Sequence, residues 1–130
     1  MISRPHRFHG RGSLKPVYQR GQTVRSNWLA LRYLKNERRR DYRLAVIVSR
    51  KVSKSAVVRN RIRRRIYEII RLTEPQFSGV YDLVVTVHNE LPAKVAASDL
   101  EKVVDEALAK AGVISGQHDI VNTSKSAPAA

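Results

Sequence analysis

The segment "AVVRNRIRRRIYEIIR", from Ala56 to Arg71, places six arginines within sixteen residues. A guanidinium group binds phosphate through two parallel N–H donors and also stacks on bases, so this density of arginine is typical of a surface that binds a polyanion. A run of charge can also be a solvated helix face without a ligand. The apolar residues between the arginines help to decide between these two interpretations.

At about 100° per residue, four apolar side chains of this segment fall on one stripe of a helix. We predict a helix over residues 56–72, capped at its N-terminus by Ser53 or Ser55, with the apolar stripe packed on a sheet. A helix anchored in this way holds its charged side chains in fixed positions, which favours a binding surface. The stripe consists of Val58, Ile62, Ile66 and Ile69.

The polar side of the same helix carries amide, guanidinium and phenol groups, which can follow phosphates and stack on unpaired bases. Arg59 lies beside this side of the helix. Arg61 and Arg65 lie on the other flank, where their aliphatic stems can cover the edge of the core. The residues of the polar side are Asn60, Arg63, Arg64, Tyr67 and Arg71.

Positive charge is concentrated in the first part of the chain, which has 130 residues and a net charge of +14. Residues 1–73 hold 21 Lys or Arg against 3 Asp or Glu, a net +18, and residues 74–130 hold 4 against 8, a net −4, which together give +14. Such a field attracts polyanions, so nucleic acid is the leading partner and an anionic membrane surface is the second. Arginine outnumbers lysine 17 to 8, which favours specific contacts with phosphates and bases.

Composition excludes several other classes of protein. The chain contains no cysteine, which rules out disulfides, thiolate zinc sites and a cysteine nucleophile and makes the cytoplasm the expected compartment. No apolar run reaches the roughly 18 residues of a membrane span, and the first residues lack the apolar stretch of a signal peptide. We therefore expect neither a membrane segment nor secretion.

Catalytic signals are missing from the polypeptide. It has no nucleotide-binding, zinc-protease or serine-hydrolase motif. The first 73 residues contain three acids, too few for the carboxylate cluster of a two-metal nuclease. His88 has no partner at a readable spacing, and His6 and His9 alone make a poor metal site. We expect no active site and no metal site in the protein itself.

The first half of the chain predicts an arm, one helix and three strands. Residues 1–12 read as a flexible basic arm, and "SLKPVYQRG" predicts a helix that ends at Gly21 in a left-handed cap. "QTV" predicts a short edge strand, and "WLALRYL" alternates so that Arg32 and Tyr33 point to opposite faces. "LAVIVS" predicts a strand that is buried on both faces and pairs with "WLALRYL" as a hairpin.

The second half predicts one more strand and a final helix. "VYDLVVTV", residues 80–87, follows the arginine helix, and this strand, helix, strand order implies a crossover connection and a mixed sheet. "SDLEKVVDEALAKAG" predicts a helix with a capping box of Ser98 and Glu101 and a stop at Gly112. Residues 115–130 predict a disordered tail, which leaves residues 13–114 as a single domain.

The run "RNRIRR", preceded by "LAVIVSRKVSKSAVV" and further upstream by "VYQRG", resembles the protein subunit of bacterial ribonuclease P. The resemblance extends over about residues 13–112. It implies an α+β fold: an α-β-β-β-α-β-α sandwich with a mixed four-stranded sheet and a left-handed βαβ crossover. Spacing alone would have predicted the right-handed crossover.

The resemblance also implies a function. In this family a large RNA carries the catalytic Mg²⁺ ions and cleaves precursor tRNA, while the small protein binds that RNA and the single-stranded 5′ leader of the substrate. A one-to-one ribonucleoprotein in the cytoplasm is the expected assembly. The leading alternative is a structural ribosomal RNA-binding protein, followed by a DNA-binding regulator and a protein-only nuclease.

Site residues are transferred from the family by position. The resemblance implies a leader cleft with Leu14, Tyr18 and either Arg32 or Tyr33. Leu14 stands where the family usually has an aromatic residue. We further expect a groove between the first helix and the sheet, with Asn60, Arg63, Arg64 and Tyr67 along one wall. The implied RNA-binding residues are Arg50, Lys51, Arg59, Asn60, Arg61, Arg63, Arg64, Tyr67 and Arg71.

Overall fold

The computed structural model describes residues 4–9 and 12–115. Apart from Ser115, the predicted tail lies outside the described residues. Two short 3₁₀ helices, at Arg4–His6 and Glu74–Gln76, accompany four α-helices and four strands. The α-helices are α1 (Lys15–Arg20), α2 (Ala56–Thr73), α3 (Leu91–Lys94) and α4 (Ala97–Ala111), and the strands are β1 (Gln22–Arg25), β2 (Leu29–Lys35), β3 (Arg43–Ile47) and β4 (Tyr81–Val87).

The four strands form one mixed sheet in the order β1-β2-β4-β3. β2 is antiparallel to both β1 and β4, whereas β3 and β4 are parallel, with α2 in the connection between them. The mixed sheet and the crossover through α2 are confirmed, and the hand of that crossover stays a prediction. The predicted hairpin of β2 with β3 was wrong, because β4 lies between them. The predicted burial of β3 on both faces was also wrong, because β3 is an edge strand whose alternate side chains are only half-buried. β4 is buried on both faces, with Val84 fully buried, and a strand of this kind belongs in the interior of a sheet.

One face of the sheet, here called the core face, packs against α2 and α4. The side chains of Leu31, Leu44 and Leu83 point into this layer and are almost completely buried. Burial of apolar surface on this scale is the main driving force of the fold. The helices contribute Ile62, Ile66 and Ile70 from α2 and Leu100, Val103, Val104, Ala107 and Leu108 from α4.

The other face of the sheet, here called the second face, carries α1. Val17 of α1 is fully buried, and Arg32 of β2, which points to this face, donates from Nε to the Val17 carbonyl oxygen at 3.0 Å. The structure therefore places α1 and α2 on opposite sides of one sheet. This separation decides which of the predicted site residues can meet.

The helix α2 begins and packs nearly as its periodicity predicts. Ser55 is the N-cap, and its hydroxyl accepts a hydrogen bond from the Val58 amide at 3.3 Å. Ile62 and Ile66 are fully buried as expected, but the last buried isoleucine is Ile70, while Ile69 and Val58 are only half-buried at the edge of the core. Among the described residues, no helix is both long and apolar enough to cross a membrane.

Three details at helix ends differ from or extend the sequence prediction. Gly21 is extended (φ −74°, ψ 164°), so its predicted left-handed cap was wrong. A side chain there would instead press on the carbonyl oxygens of Val17 and Tyr33. The predicted capping box at Ser98 was also wrong, because α4 already begins at Ala97 and its N-cap makes no side-chain bond. Gly112 does adopt the predicted left-handed conformation, with φ 80°.

Tyr42 joins the start of the chain to the sheet. Its ring stacks on His6 at 4.1 Å and meets Phe77 edge-on at 5.3 Å, and its carbonyl oxygen lies 2.9 Å from His6 Nδ1. The ring is 2% exposed, and its hydroxyl has no hydrogen-bond partner within the described part of the chain. Burial, aided by Glu74, raises the pKa of Tyr42 to about 12.

We expect Tyr42→Phe to stabilise the protein by roughly 1 kcal/mol near neutral pH, because it removes a buried hydroxyl without a partner. The raised pKa means that the folded state holds the phenol proton more tightly than the unfolded state. Wild-type stability should therefore be complete below about pH 10 and fall as the pH rises toward 12. Urea unfolding across this range should show a shallower fall for Tyr42→Phe, and parallel curves for the two proteins would contradict the assignment.

Candidate nucleic-acid interface

The outward side of α2, away from the sheet, brings together the predicted polar residues. Val57, which is 74% exposed, joins them to line a shallow recess of about 390 Å³. Arg63 donates to the amide oxygen of Asn60, which fixes both side chains along the recess. This surface, here called the α2 recess, consists of Val57, Asn60, Arg63, Arg64 and Tyr67.

The cations of α2 differ in how free they are to bind a ligand. Arg64 is exposed and makes no intramolecular hydrogen bond or ion pair with any described residue. Arg71 is bound to Glu68 through two hydrogen bonds, of 3.1 and 2.6 Å. The bonds from Arg71 lower the pKa of Glu68, and the same pair raises the pKa of Arg71. Arg64 is therefore the stronger candidate for phosphate contact, because Arg71 must first break its hydrogen bonds to the carboxylate of Glu68.

Arg61 and Arg65 hold α3 against α2 by donating to its backbone carbonyls. Arg65 donates to the carbonyl oxygens of Pro92 and Val95, both at 2.8 Å, and Arg61 Nε donates to that of Ala93 at 2.9 Å. We call these three hydrogen bonds the α3 clamp. The flank position predicted for Arg61 and Arg65 is confirmed. Their bonds to these carbonyl oxygens were not predicted, because the sequence assigned the two stems to apolar surface and the resemblance assigned Arg61 to RNA.

Arg59 has a similar structural bond at the start of α2, where Nη1 donates to the Ser53 carbonyl oxygen at 2.9 Å. Arg50 and Lys51 lie in the exposed turn just before it. This turn is closed by a hydrogen bond from the Val52 amide to the Ser49 carbonyl oxygen at 3.1 Å. The structure therefore gathers three cations at the end of the sheet where β3 leads into α2.

On the second face of the sheet, Arg32 and Tyr18 form a pair. The Arg32 guanidinium donates to the Val17 and Tyr18 carbonyl oxygens and to Thr23 Oγ1, and its carbon lies 6.0 Å from the centre of the Tyr18 ring. Two of the three nitrogens of Arg32 thereby hold α1 on the sheet, and the third binds the neighbouring strand β1. Tyr18 itself is 46% exposed and can offer its ring to a ligand.

The other two predicted cleft residues have different positions. Leu14 is half-buried at the start of α1, and its carbonyl oxygen accepts from the Tyr18 amide at 3.2 Å. Tyr33 points to the core face, where it packs at the edge of the core, and its hydroxyl donates to Gln22 Oε1 at 2.9 Å. Of the two alternatives left open by the sequence, Arg32 lies with Tyr18 and Tyr33 does not.

The expected single groove was wrong. Asn60 and Tyr67 lie on the outward side of α2, which covers the core face, whereas α1 lies on the second face. The whole sheet separates them, because α2 turns its isoleucines to the sheet and its polar side chains away from it. The molecule therefore offers two separate surfaces, the α2 recess with its neighbouring cations and the second face around Tyr18.

One further pair on the second face was missed from the sequence. The Arg43 guanidinium lies 4.7 Å from the centre of the Phe8 ring and binds Asp82 through two hydrogen bonds of 2.9 and 2.8 Å. Asn36 adds a third bond to Asp82 at 3.1 Å. Phe8 lies in the segment predicted to be an arm, so no periodic signal marked it as a site residue. Within residues 4–9 and 12–115, no group of three or more His, Asp or Glu side chains is placed to hold a metal ion.

Comparison with known proteins identifies similar chains. The family model for Ribonuclease P matches residues 2–112. The ribonuclease P protein component of Roseiflexus castenholzii is 35% identical over 115 residues, covering 88% of this chain and 93% of that protein. The RNase P protein of Staphylococcus aureus has a TM-score of 0.73 at 21% identity, covering 84% of this chain and 97% of that one. The RNase P protein from Thermotoga maritima has a TM-score of 0.64 at 23% identity, covering 79% of this chain and 92% of that one. The structural likenesses confirm the α+β class and the four-stranded mixed sheet.

Proposed function

The chain belongs to the ribonuclease P protein family, and on that premise we propose that it binds two RNAs, the catalytic RNA of the enzyme and the 5′ leader of precursor tRNA. Membership of this family implies a role in tRNA processing and an RNA partner. The observation that carries the proposal is the presence of two separate surfaces on opposite sides of the sheet. Each has the chemistry of an RNA contact, and neither blocks the other.

The catalytic RNA is assigned to α2 and the turn before it. Arg50, Lys51 and Arg64 are exposed cations without an internal partner in the described part of the chain, and the α2 recess places Asn60 and Tyr67 beside them. Phosphate contacts of this kind supply most of the affinity for nucleic acid and position the protein on it. The large excess of arginine on this side of the molecule suits a large, folded RNA.

The leader is assigned to the second face around Tyr18. A half-exposed ring beside a guanidinium is suited to an unpaired base, since single-stranded RNA is bound mainly by stacking on aromatic side chains and by cations that follow the backbone. Because Arg32 is engaged with α1, its role in this proposal is to position Tyr18. Tyr67, which the sequence placed in the leader groove, is assigned to the catalytic RNA instead.

Cleavage itself is assigned to the RNA subunit, which would also hold the Mg²⁺ ions. The protein would then act as a cofactor in a one-to-one ribonucleoprotein in the cytoplasm. The chemistry of the α2 recess and the turn before it supports this division, because they offer guanidinium, ammonium and amide groups, which bind phosphate oxygens, and none of the carboxylates by which proteins usually bind Mg²⁺.

A precursor-tRNA cleavage assay tests the proposal with protein alone, cognate RNA alone and both together, at low salt and low Mg²⁺. We expect no cleavage by the protein alone and clear stimulation of the RNA. In a variant pair matched for charge, Arg63→Met/Arg64→Met on α2 should reduce stimulation, whereas Lys102→Met/Lys110→Met on α4 should not. The slope of log affinity against log salt should flatten by about 0.7–0.9 for each phosphate group that the variant no longer binds.

Two outcomes would contradict the proposal. Cleavage by protein freed of RNA would place an active site in the polypeptide. Co-purification with a ribosomal subunit, without any stimulation of the catalytic RNA, would favour the alternative of a structural ribosomal protein.

A further inference from the structure

The second face of the sheet continues beyond Tyr18 to β3. Residues of β3 alternate between full and partial burial, with Leu44 and Val46 in the core and Arg43, Ala45 and Ile47 half-buried on the second face. Between Arg32 on β2 and Arg43 on β3 this face is apolar. Val84 of β4 is fully buried there, and Ala45 and Ile47 form a partly exposed apolar floor at the β3 edge.

Phe8 lies at the β3 end of this floor, on top of Arg43. The Arg43 guanidinium is held rigidly, because both of its hydrogen bonds go to the buried carboxylate of Asp82, which Asn36 also binds. A ring that rests 4.7 Å from such a group loses little further freedom when a base stacks on it, and Phe8 is still partly exposed. Phe8 with Arg43 thus repeats the pairing of Tyr18 with Arg32.

The two pairs are far enough apart to hold different nucleotides. Arg32 pairs with Val84, and Val84 pairs with Ala45, so these three side chains form one row across the sheet. Arg43 lies two residues before Ala45 on β3. Strand spacing of about 4.8 Å and a rise of about 3.4 Å per residue place the backbones of Arg32 and Arg43 roughly 12 Å apart. One strand of RNA can reach both pairs, but one base cannot.

The charge of this face suits a polyanion. Among the side chains that β2, β3 and β4 direct to it, the only acid in the described strands is Asp82, which is 1% exposed and neutralised by Arg43. An RNA strand crossing the floor would therefore meet no exposed carboxylate from these strands.

We propose that Phe8, seated on Arg43, is a second base-stacking platform for the single-stranded leader, and that the leader runs across the sheet from Tyr18 to Phe8. This inference rests on the assignment of the leader to the second face. It adds a binding residue from the segment that precedes α1, and it gives the leader a direction across the strands.

The test measures the affinity of the reconstituted holoenzyme for precursor tRNAs whose leaders increase in length by single nucleotides, with mature tRNA as the reference. Phe8→Leu keeps an apolar cover over Arg43 but removes the stacking ring, while Phe8→Trp keeps a ring. We expect Phe8→Leu to bind long-leader substrate about tenfold more weakly, within the range for one stacked base, with mature tRNA unaffected and Phe8→Trp close to wild type. Tyr18→Leu should show its loss at a different leader length.

Each contrary result has a distinct meaning. If Phe8→Leu matches wild type at every leader length while Tyr18→Leu is impaired, the second platform is wrong and the leader assignment stands. Equal losses for Phe8→Leu and Phe8→Trp, with a lowered melting temperature in both, would show that Phe8 only packs on Arg43 and would also overturn the platform. If affinity is independent of leader length even in the wild type, the assignment of the leader to the second face fails.

Discussion

Replacing Asp82 with alanine should lower the free energy of unfolding by about 3–5 kcal/mol, because it leaves the Arg43 guanidinium without its counterion in a largely buried position. The Asp82 side chain is 1% exposed and that of Arg43 15%. Asp82 also accepts from Asn36, so its loss frees the end of β2 and the start of β3 together. Because the pair is at the β3 end of the second face, the same substitution should displace Phe8.

Urea unfolding of the purified protein measures this effect, and the chain supplies a matched control. Glu68 and Arg71 form an ion pair of similar geometry, but both side chains are more than half exposed, so Glu68→Ala should change stability very little. The double variant Arg43→Met/Asp82→Leu should recover most of the stability lost in Asp82→Ala, since it removes both charges. A loss below about 1 kcal/mol in Asp82→Ala would show that water already screens the pair.

Replacing Arg65 with methionine should lower the free energy of unfolding by about 2–4 kcal/mol, because two charged hydrogen bonds to α3 disappear while the aliphatic stem remains. Arg61→Met, which loses one bond of the α3 clamp, should cost less. Arg64→Met should leave stability unchanged and weaken binding of the catalytic RNA. Replacement of these three neighbouring arginines should thus affect stability and RNA affinity to different extents.

Thermal unfolding and RNA titration on the same preparations distinguish these effects. The family resemblance implied an RNA-binding role for Arg61 as for Arg59 and Arg64, and the α3 clamp gives Arg61 a structural bond as well. Equal melting temperatures for Arg61→Met, Arg64→Met and Arg65→Met would contradict the clamp. Reduced stability without any change in RNA affinity would identify Arg61 as a purely structural residue.

The features that could be predicted correctly from the sequence are those that depend on the residue pattern of a single helix or strand. The period of the isoleucines in α2 predicted which side faces the sheet, and the alternation in β2 predicted that Arg32 and Tyr33 diverge. Both patterns depend only on the geometry of a single helix or strand. The family resemblance then supplied the order of elements, which the structure confirms with α3 as an addition.

The errors arose where the answer depends on residues far apart in the chain. Strand neighbours along the sequence usually pair, but β4 is inserted between β2 and β3, where it is buried on both faces along nearly its whole length. Similarly, α4 starts before Ser98 because Arg65 holds the Val95 carbonyl, and Val95 is extended (φ −73°, ψ 162°), so that the helix begins directly afterwards. Neither contact can be read from the spacing of nearby residues.

The candidate site likewise has features that the sequence predicts and features that depend on contacts between distant residues. The cations of α2 could be found from composition. The sequence could not show which of them are engaged in internal hydrogen bonds, because nothing in it marks the carbonyl oxygens of Ala93, Pro92 and Ser53 as acceptors. The pairing of Phe8 with Arg43 was hidden for the same reason, as the two residues lie in segments with unrelated patterns.

The position of β4 has a consequence for the order in which the chain folds. Among the described strands, β3 pairs with β4 alone, and β4 is the last strand to be synthesised. While the ribosome translates the chain, β3 and the isoleucine side of α2 therefore cannot complete their packing until β4 has been synthesised up to residue 87. Pairing of β4 with β2 and β3 then joins segments that are distant in the chain, which is a slow kind of folding step. During that interval the emerging segment of residues 1–73, with its net charge of +18, lies among ribosomal RNA with its sheet incomplete, so early capture by the cognate RNA would shorten its exposure.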